Sequence, residues 1–143
     1  MTGLDANLLV RYLAQDDPAQ AALVNHLIEE TLSVENPGFI STVALVELVW
    51  VLESGYACDR TRIAQVLERL LRAKPLVVEN SDVAWQATRI FAATKADFAD
   101  CLIERTGHAN TCIRTLTLDR AAAKSAGMHL LQPARRGLHE QIP

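Results

Sequence analysis

Short runs of strand character alternate with helix-like segments along this chain, and that alternation restricts the fold more than any other feature. A first strand ends near Asp5, and "FIS", "PLVVE", "IRTLTL" and "MHLLQ" follow at intervals. Helical segments fill the spaces between them, and their punctuation is legible. "ANLLVRYLA" continues from Asp5. "DDPAQAALVNHLIEETL" opens with Asp17 as the expected N-cap and Pro18 at the first helical position, where a missing N–H costs nothing. The turn "NPG" precedes "FIS", and the apolar helix "STVALVELVWVLES" follows it. Asp59 is the expected cap of "RTRIAQVLERLLRA" and Ser81 that of "DVAWQATRIFAAT". Gly107 is expected to close "DFADCLIERTG", and Gly127 to end "DRAAAKSAG". Strands joined through helices pair in parallel, and the helices must then cover both faces of the sheet. The expected class is therefore α/β, a three-layer α/β/α domain with a central parallel sheet over residues 1–133. The tail "ARRGLHEQIP", residues 134–143, lacks periodicity and is expected to be flexible.

The chain has 143 residues, enough for one domain with a real core. Half of it is hydrophobic and 22% is charged, the balance of a soluble globular protein. A net charge of -3 excludes a global basic footprint. A nucleic-acid partner must then be held by a local cluster or through bound cations. Cys58, Cys101 and Cys112 form no CxxC pair, which argues against a disulfide framework or a zinc site. "MTGLDANLLVRYL" has no basic leader pattern, and the apolar run Val43–Leu52 is broken by Glu47 and too short for a bilayer. The expectation is a cytoplasmic protein without membrane contact.

Open parallel sheets carry their sites outside the carboxyl ends of the strands, which makes the acids there informative. Asp5 follows the first strand, Asp119 follows "TLTL", and Asp97 and Asp100 open the "DFADCLIERT" helix. Asp5, Asp97 and Asp119 also stand where helix N-caps are expected, so capping is a second account of each. Glu47 has no such account. It lies more than a turn into a helix that is apolar on nearly every side, where it is expected to be buried. An unpaired carboxylate there is costly, so either Glu47 lies on a polar stripe of the helix, or an arginine or a cation balances it. The topology is expected to bring Asp5, Glu47, Asp100 and Asp119 to one edge. Four carboxylates at one edge repel one another unless a cation neutralises them. The set holds only oxygen donors, which suits Mg²⁺ or Mn²⁺ and disfavours zinc.

The stretches "GLDANLLVRYLAQDDPAQ", "STVALVELVWVL", "ADFADCLIERT" and "TLTLDRAAA" resemble, in order and spacing, the four acidic motifs of PIN-domain ribonucleases. They are most similar to the VapC-type toxins of bacterial toxin–antitoxin modules. The resemblance implies an α/β/α fold and a Mg²⁺- or Mn²⁺-dependent endoribonuclease. It also implies a homodimer and a cognate antitoxin whose tail enters the active-site groove. Carried over by residue, Asp5, Glu47, Asp100 and Asp119 form the acidic quartet and Asp97 an accessory acid. Asp5 and Asp100 are expected as direct metal ligands, and Asp119 as a ligand directly or through water. Glu47 is expected to orient water or help to hold a second ion. Two departures stand out. Ala6 replaces a hydroxyl residue of the first motif, leaving Asn7 for its supporting role, and Glu104 and Arg105 replace small residues of the groove wall.

Arg11, Arg114 and Arg120 lie near the expected strand ends, where contact with RNA phosphates is expected. Arg60, Arg62, Arg69 and Arg72 follow one helix and read as a solvated face. Trp50 and Trp85 occupy core-like positions, and the histidines share no ligand spacing. Two other classes stay open. An aspartate-based phosphotransferase or receiver domain also has an acid after the first strand, but Asn7 stands where it needs a second aspartate. A catalytically silent module would use the acidic pocket only to receive a basic peptide.

Overall fold

The computed structural model describes residues 1–133. The expected tail, residues 134–143, lies outside them. The elements run β1 Thr2–Gly3, α1 Ala6–Ala14, α2 Pro18–His26, a π-helical turn Leu27–Thr31, β2 Gly38–Ile40 and α3 Thr42–Gly55. They continue with α4 Arg60–Arg72, β3 Leu76–Val78, α5 Ser81–Ala93, α6 Phe98–Ala109, β4 Leu116–Thr117, α7 Arg120–Ser125 and β5 His129–Leu130.

All strand pairing among the described residues is parallel, as the alternation requires. The strands are shorter than the apolar runs, and they form two units, a β1-β2-β3 sheet and a β4-β5 pair. β2 is central, with Phe39 opposite both Gly3 and Val77. Of "IRTLTL" only Leu116 and Thr117 enter the ladder, and the flanking Ile113 and Leu118 face solvent. "PLVVE" is likewise not a buried run: Val78 is buried but Val77 is exposed. The core lies between sheet and helices, where Leu9, Ile40, Leu45, Leu48, Ile63, Leu67, Phe91 and Phe98 are fully buried.

Side-chain caps start most helices, which is why their beginnings were readable. Asp5, Asp17, Ser41, Asp59, Asp97 and Asp119 each accept a backbone N–H from the first turn. The α5 cap differs from expectation. Asn80 holds that position at a left-handed φ of 47°, and Ser81 is already helical. Asparagine tolerates this region better than most residues. Gly107 does not close α6, which continues to Ala109. The glycine serves close approach instead, since a Cβ there would meet the Thr115 hydroxyl at 2.8 Å. α7 ends at Ser125, ahead of Gly127.

The α3 helix overturns another expectation. Leu45, Leu48, Val49 and Leu52 are buried, but Val43, Glu47 and Trp50 form a solvent-facing stripe. Glu47 is thus an exposed carboxylate, and needs no buried partner. Trp50 is 67% exposed and Trp85 half-buried between the guanidinium groups of Arg72 and Arg89, so neither is a core residue. No helix among the described residues is long and apolar enough to cross a membrane.

Candidate active site

Three of the expected acids are helix caps in fact. Asp5 Oδ1 accepts the Leu8 N–H at 2.9 Å, and Asp97 Oδ1 accepts that of Asp100 at 3.1 Å. Asp119 Oδ1 accepts from Ala121 and Ala122 at 2.8 and 3.4 Å. Capping engages one oxygen of each carboxylate. Among the described residues no hydrogen bond reaches the three Oδ2 atoms, so a cap can still offer a ligand oxygen.

Asp100 is different in kind. It lies in the first turn of α6, half-buried, and no hydrogen bond reaches its carboxylate among the described residues. Burial raises its pKa above the usual carboxylate range, and the charges of Asp97 and Asp119 raise it further. The start of α6 and the start of α7 therefore share one electrostatic neighbourhood. Asp5 and Glu47 share another. Both line a cleft of about 400 Å³ with Phe39 and Ser41, at the carboxyl ends of β1 and β2. Glu47 also borders an apolar groove of about 500 Å³ between α3 and α6, beside Ala99 and Ile103. It thus stands between the end of β1 and the helix that carries Asp100.

No group of three or more His, Cys, Asp or Glu side chains meets at metal-holding separation among the described residues. The acids form a trio, Asp97, Asp100 and Asp119, and a pair, Asp5 and Glu47. The donor chemistry still fits a hard divalent cation: every candidate is a carboxylate oxygen, and the Asp100 carboxylate lies near two like charges with no ion pair among the described residues.

A family profile for the PIN domain matches residues 4–127, a span that includes all five acids. The chain belongs to the PIN domain family. It is also similar to a VapC ribonuclease of Aquifex aeolicus (strain VF5), 26% identical over 99 residues, covering 69% of this chain and 73% of that one. No solved structure matches.

The basic residues of this PIN domain divide sharply. Arg11 flanks Asp5 and Asn7 in a cleft between α1 and α2, but its guanidinium is already engaged. Nη1 donates to Asp16 Oδ1 at 2.8 Å and to the Tyr56 hydroxyl at 3.2 Å. The Tyr56 hydroxyl in turn donates to Asp16 Oδ2 at 2.7 Å. This triangle holds the Asp16 carboxyl below its ordinary range, Tyr56 contributing most. Nη1 of Arg11 is thus tied to protein acceptors, while its Nε has no hydrogen-bond partner among the described residues. Arg114 and Arg120 are exposed. Asn7 is exposed in the first turn of α1.

The residues that depart from the family motif satisfy each other. Arg105 Nε and Nη2 donate to Glu104 Oε1 and Oε2 at 2.6 and 3.1 Å, and Nη1 reaches Gln86 on α5 at 3.3 Å. Two residues of consequence escaped the sequence reading. Glu79 follows β3 as Asp5 follows β1, and the same strand-end rule points to it. Its Oε1 accepts the Thr42 N–H at 2.8 Å, giving α3 a second cap beside Ser41. The other is Arg60, expected on a solvated face; its guanidinium turns inward to the backbone that precedes Asp97.

Proposed function

We propose that this PIN domain is a divalent-metal-dependent endoribonuclease, the toxin of a toxin–antitoxin pair, which hydrolyses RNA phosphodiester bonds with water in the cytoplasm. The observation that carries this reading is Asp100: a half-buried carboxylate without a hydrogen bond among the described residues, its pKa raised first by burial and then by the charges of Asp97 and Asp119. Such an arrangement is costly for stability and is explained by a site that receives positive charge. The similarity to a protein named VapC ribonuclease supports RNA as the substrate.

Asp5, Glu47, Asp100 and Asp119 would hold Mg²⁺ or Mn²⁺. Such an ion supplies a Lewis acid for a phosphate oxygen and a bound water of lowered pKa. The remaining work belongs to the chain. Asp97 fixes the first turn of α6 through the Asp100 amide, and so aims the Asp100 carboxylate. Glu47, exposed between two clefts, orients water from the side of Asp5. Arg114 and Arg120 offset the repulsion that the acids exert on a polyanion. The cleft beside Asp5 is lined by Leu8, Leu23, Val24 and Leu27 together with Asp5 and Asn7, which suits the apolar and basic tail of an antitoxin. A second copy covers the apolar groove between α3 and α6.

The deciding experiment incubates purified protein with a pool of tRNA and messenger RNA, with Mg²⁺, with Mn²⁺ and with chelator. Fragments that need metal and vanish in Asp5→Asn and Asp100→Asn proteins support the nuclease. Metal binding without cleavage favours the silent module that receives a basic peptide.

A further inference from the structure

We propose that Arg60 is a positioning residue for the Asp97–Asp100 turn, a role that rests on reading those two acids as part of the site. Arg60 is the first residue of α4, yet its contacts lie at the end of α5 and on the connection to α6. Nη2 donates to the Phe91 carbonyl at 2.8 Å and to the Ala96 carbonyl at 2.6 Å. Phe91 stands in the last turn of α5, where carbonyls lack helical partners, and a guanidinium there meets both the free acceptors and the negative helix end. Ala96 is the residue immediately before Asp97. A single nitrogen therefore joins the end of one helix to the entry of the next.

The same guanidinium lies over the Phe91 ring, 3.9 Å from its centroid. Phe91 meets Phe98 edge-on, with centroids 5.8 Å apart and planes at 86°. Phe98 is the first residue of α6, so Arg60 bears on the acid turn twice, through backbone and through stacked rings. From the other side Thr94 completes the clasp: its hydroxyl donates to the Ile90 carbonyl at 2.7 Å and accepts the Ala96 N–H at 3.1 Å. Lysine cannot reproduce this arrangement, because one ammonium lacks the planar fork that stacks and bridges at once.

The test uses the full chain with Arg60→Met, Arg60→Lys and, as a control on the outer face of the same helix, Arg62→Met. Amide hydrogen exchange is read over residues 94–102 and elsewhere, and Mn²⁺ affinity is titrated by electron paramagnetic resonance. Expected for Arg60→Met is faster exchange confined to residues 94–102 and Mn²⁺ binding weakened about tenfold. Partial recovery is expected in Arg60→Lys and none of these changes in Arg62→Met. Wild-type exchange and affinity in Arg60→Met overturn the proposal, and so does protection lost across the whole chain in both Arg60 variants. A wild type that binds no Mn²⁺ removes the metal reading of the site, and exchange at the Asp97 and Asp100 amides then decides the role of Arg60 by itself.

Discussion

The five acids carry different burdens, and substitution separates them. Asp100 accepts no hydrogen bond among the described residues, and its carboxyl titrates above the ordinary range. A group whose folded pKa is raised is destabilising when ionised, so asparagine there should leave Tm equal to or above that of the wild type. Cleavage should fall by more than the roughly ten- to hundredfold typical of residues that only orient metal ligands. Thermal melts beside a cleavage assay check both halves, and a large loss of Tm contradicts the first. Asp119 instead caps α7, so Asp119→Asn keeps a cap and loses only charge, while Asp119→Ala loses both. Activity should fall in both variants, and stability by about 1 kcal/mol in the alanine variant alone. Cys101, next to Asp100, is a poor nucleophile: burial pushes its thiol up to about 11, against the pull of the Arg60 charge. Thiol labelling should modify exposed Cys112 first and leave Cys101 untouched until the protein unfolds. Strand-end aspartates were legible because position alone marks them. The inward turn of Arg60 was not, because its acceptors lie 31 and 36 residues away.

At the scale of elements, α3 depends on caps from two places. Ser41 is local and readable, whereas Glu79 reaches the Thr42 amide from the end of β3. That amide holds the Glu79 carboxyl below its ordinary value of 4.5. A depressed folded pKa means that the contribution is fully present above the unfolded value and is lost as pH falls through the folded one. Glu79→Ala should therefore melt below the wild type at neutral pH, with the gap narrowing as pH falls through the lowered Glu79 pKa. A gap that is constant with pH removes the carboxylate from the account. Most helix starts were readable because Asp, Ser and Pro act on their own first turn, α5 excepted. Ends were less so. Gly107 looks like a stop but serves contact with Thr115, a demand that arises only once β4 is in place. Glu47 was misplaced for a related reason, since an all-apolar helix does not say which stripe its neighbours leave uncovered.

The described residues leave such a stripe open, and its consequence can be measured. Alternation of strand and helix foretold the parallel α/β class, but not that β4 and β5 pair apart from the first three strands. Nor did it foretell the groove where α3 and α6 meet, lined by Val43, Val46, Leu102 and Ile103 beside Glu47. Val43 is 69% and Ile103 54% exposed, and Trp50 follows about two turns beyond Val43 along α3. Isolated apolar residues on a surface are ordinary, whereas a contiguous row on two adjoining helices marks an association site. A second copy with the same stripe would cover it in a self-complementary manner. Light scattering at micromolar concentration should then report a dimer, with a Tm that rises with concentration. Ile103→Asp should give a monomer whose Tm no longer depends on concentration, because its charge must enter the desolvated interface. The variant should still fold, since this side chain is largely outside the core. A wild type that is monomeric across that range, with a concentration-independent Tm, would rule out the paired form and leave the groove to a different chain.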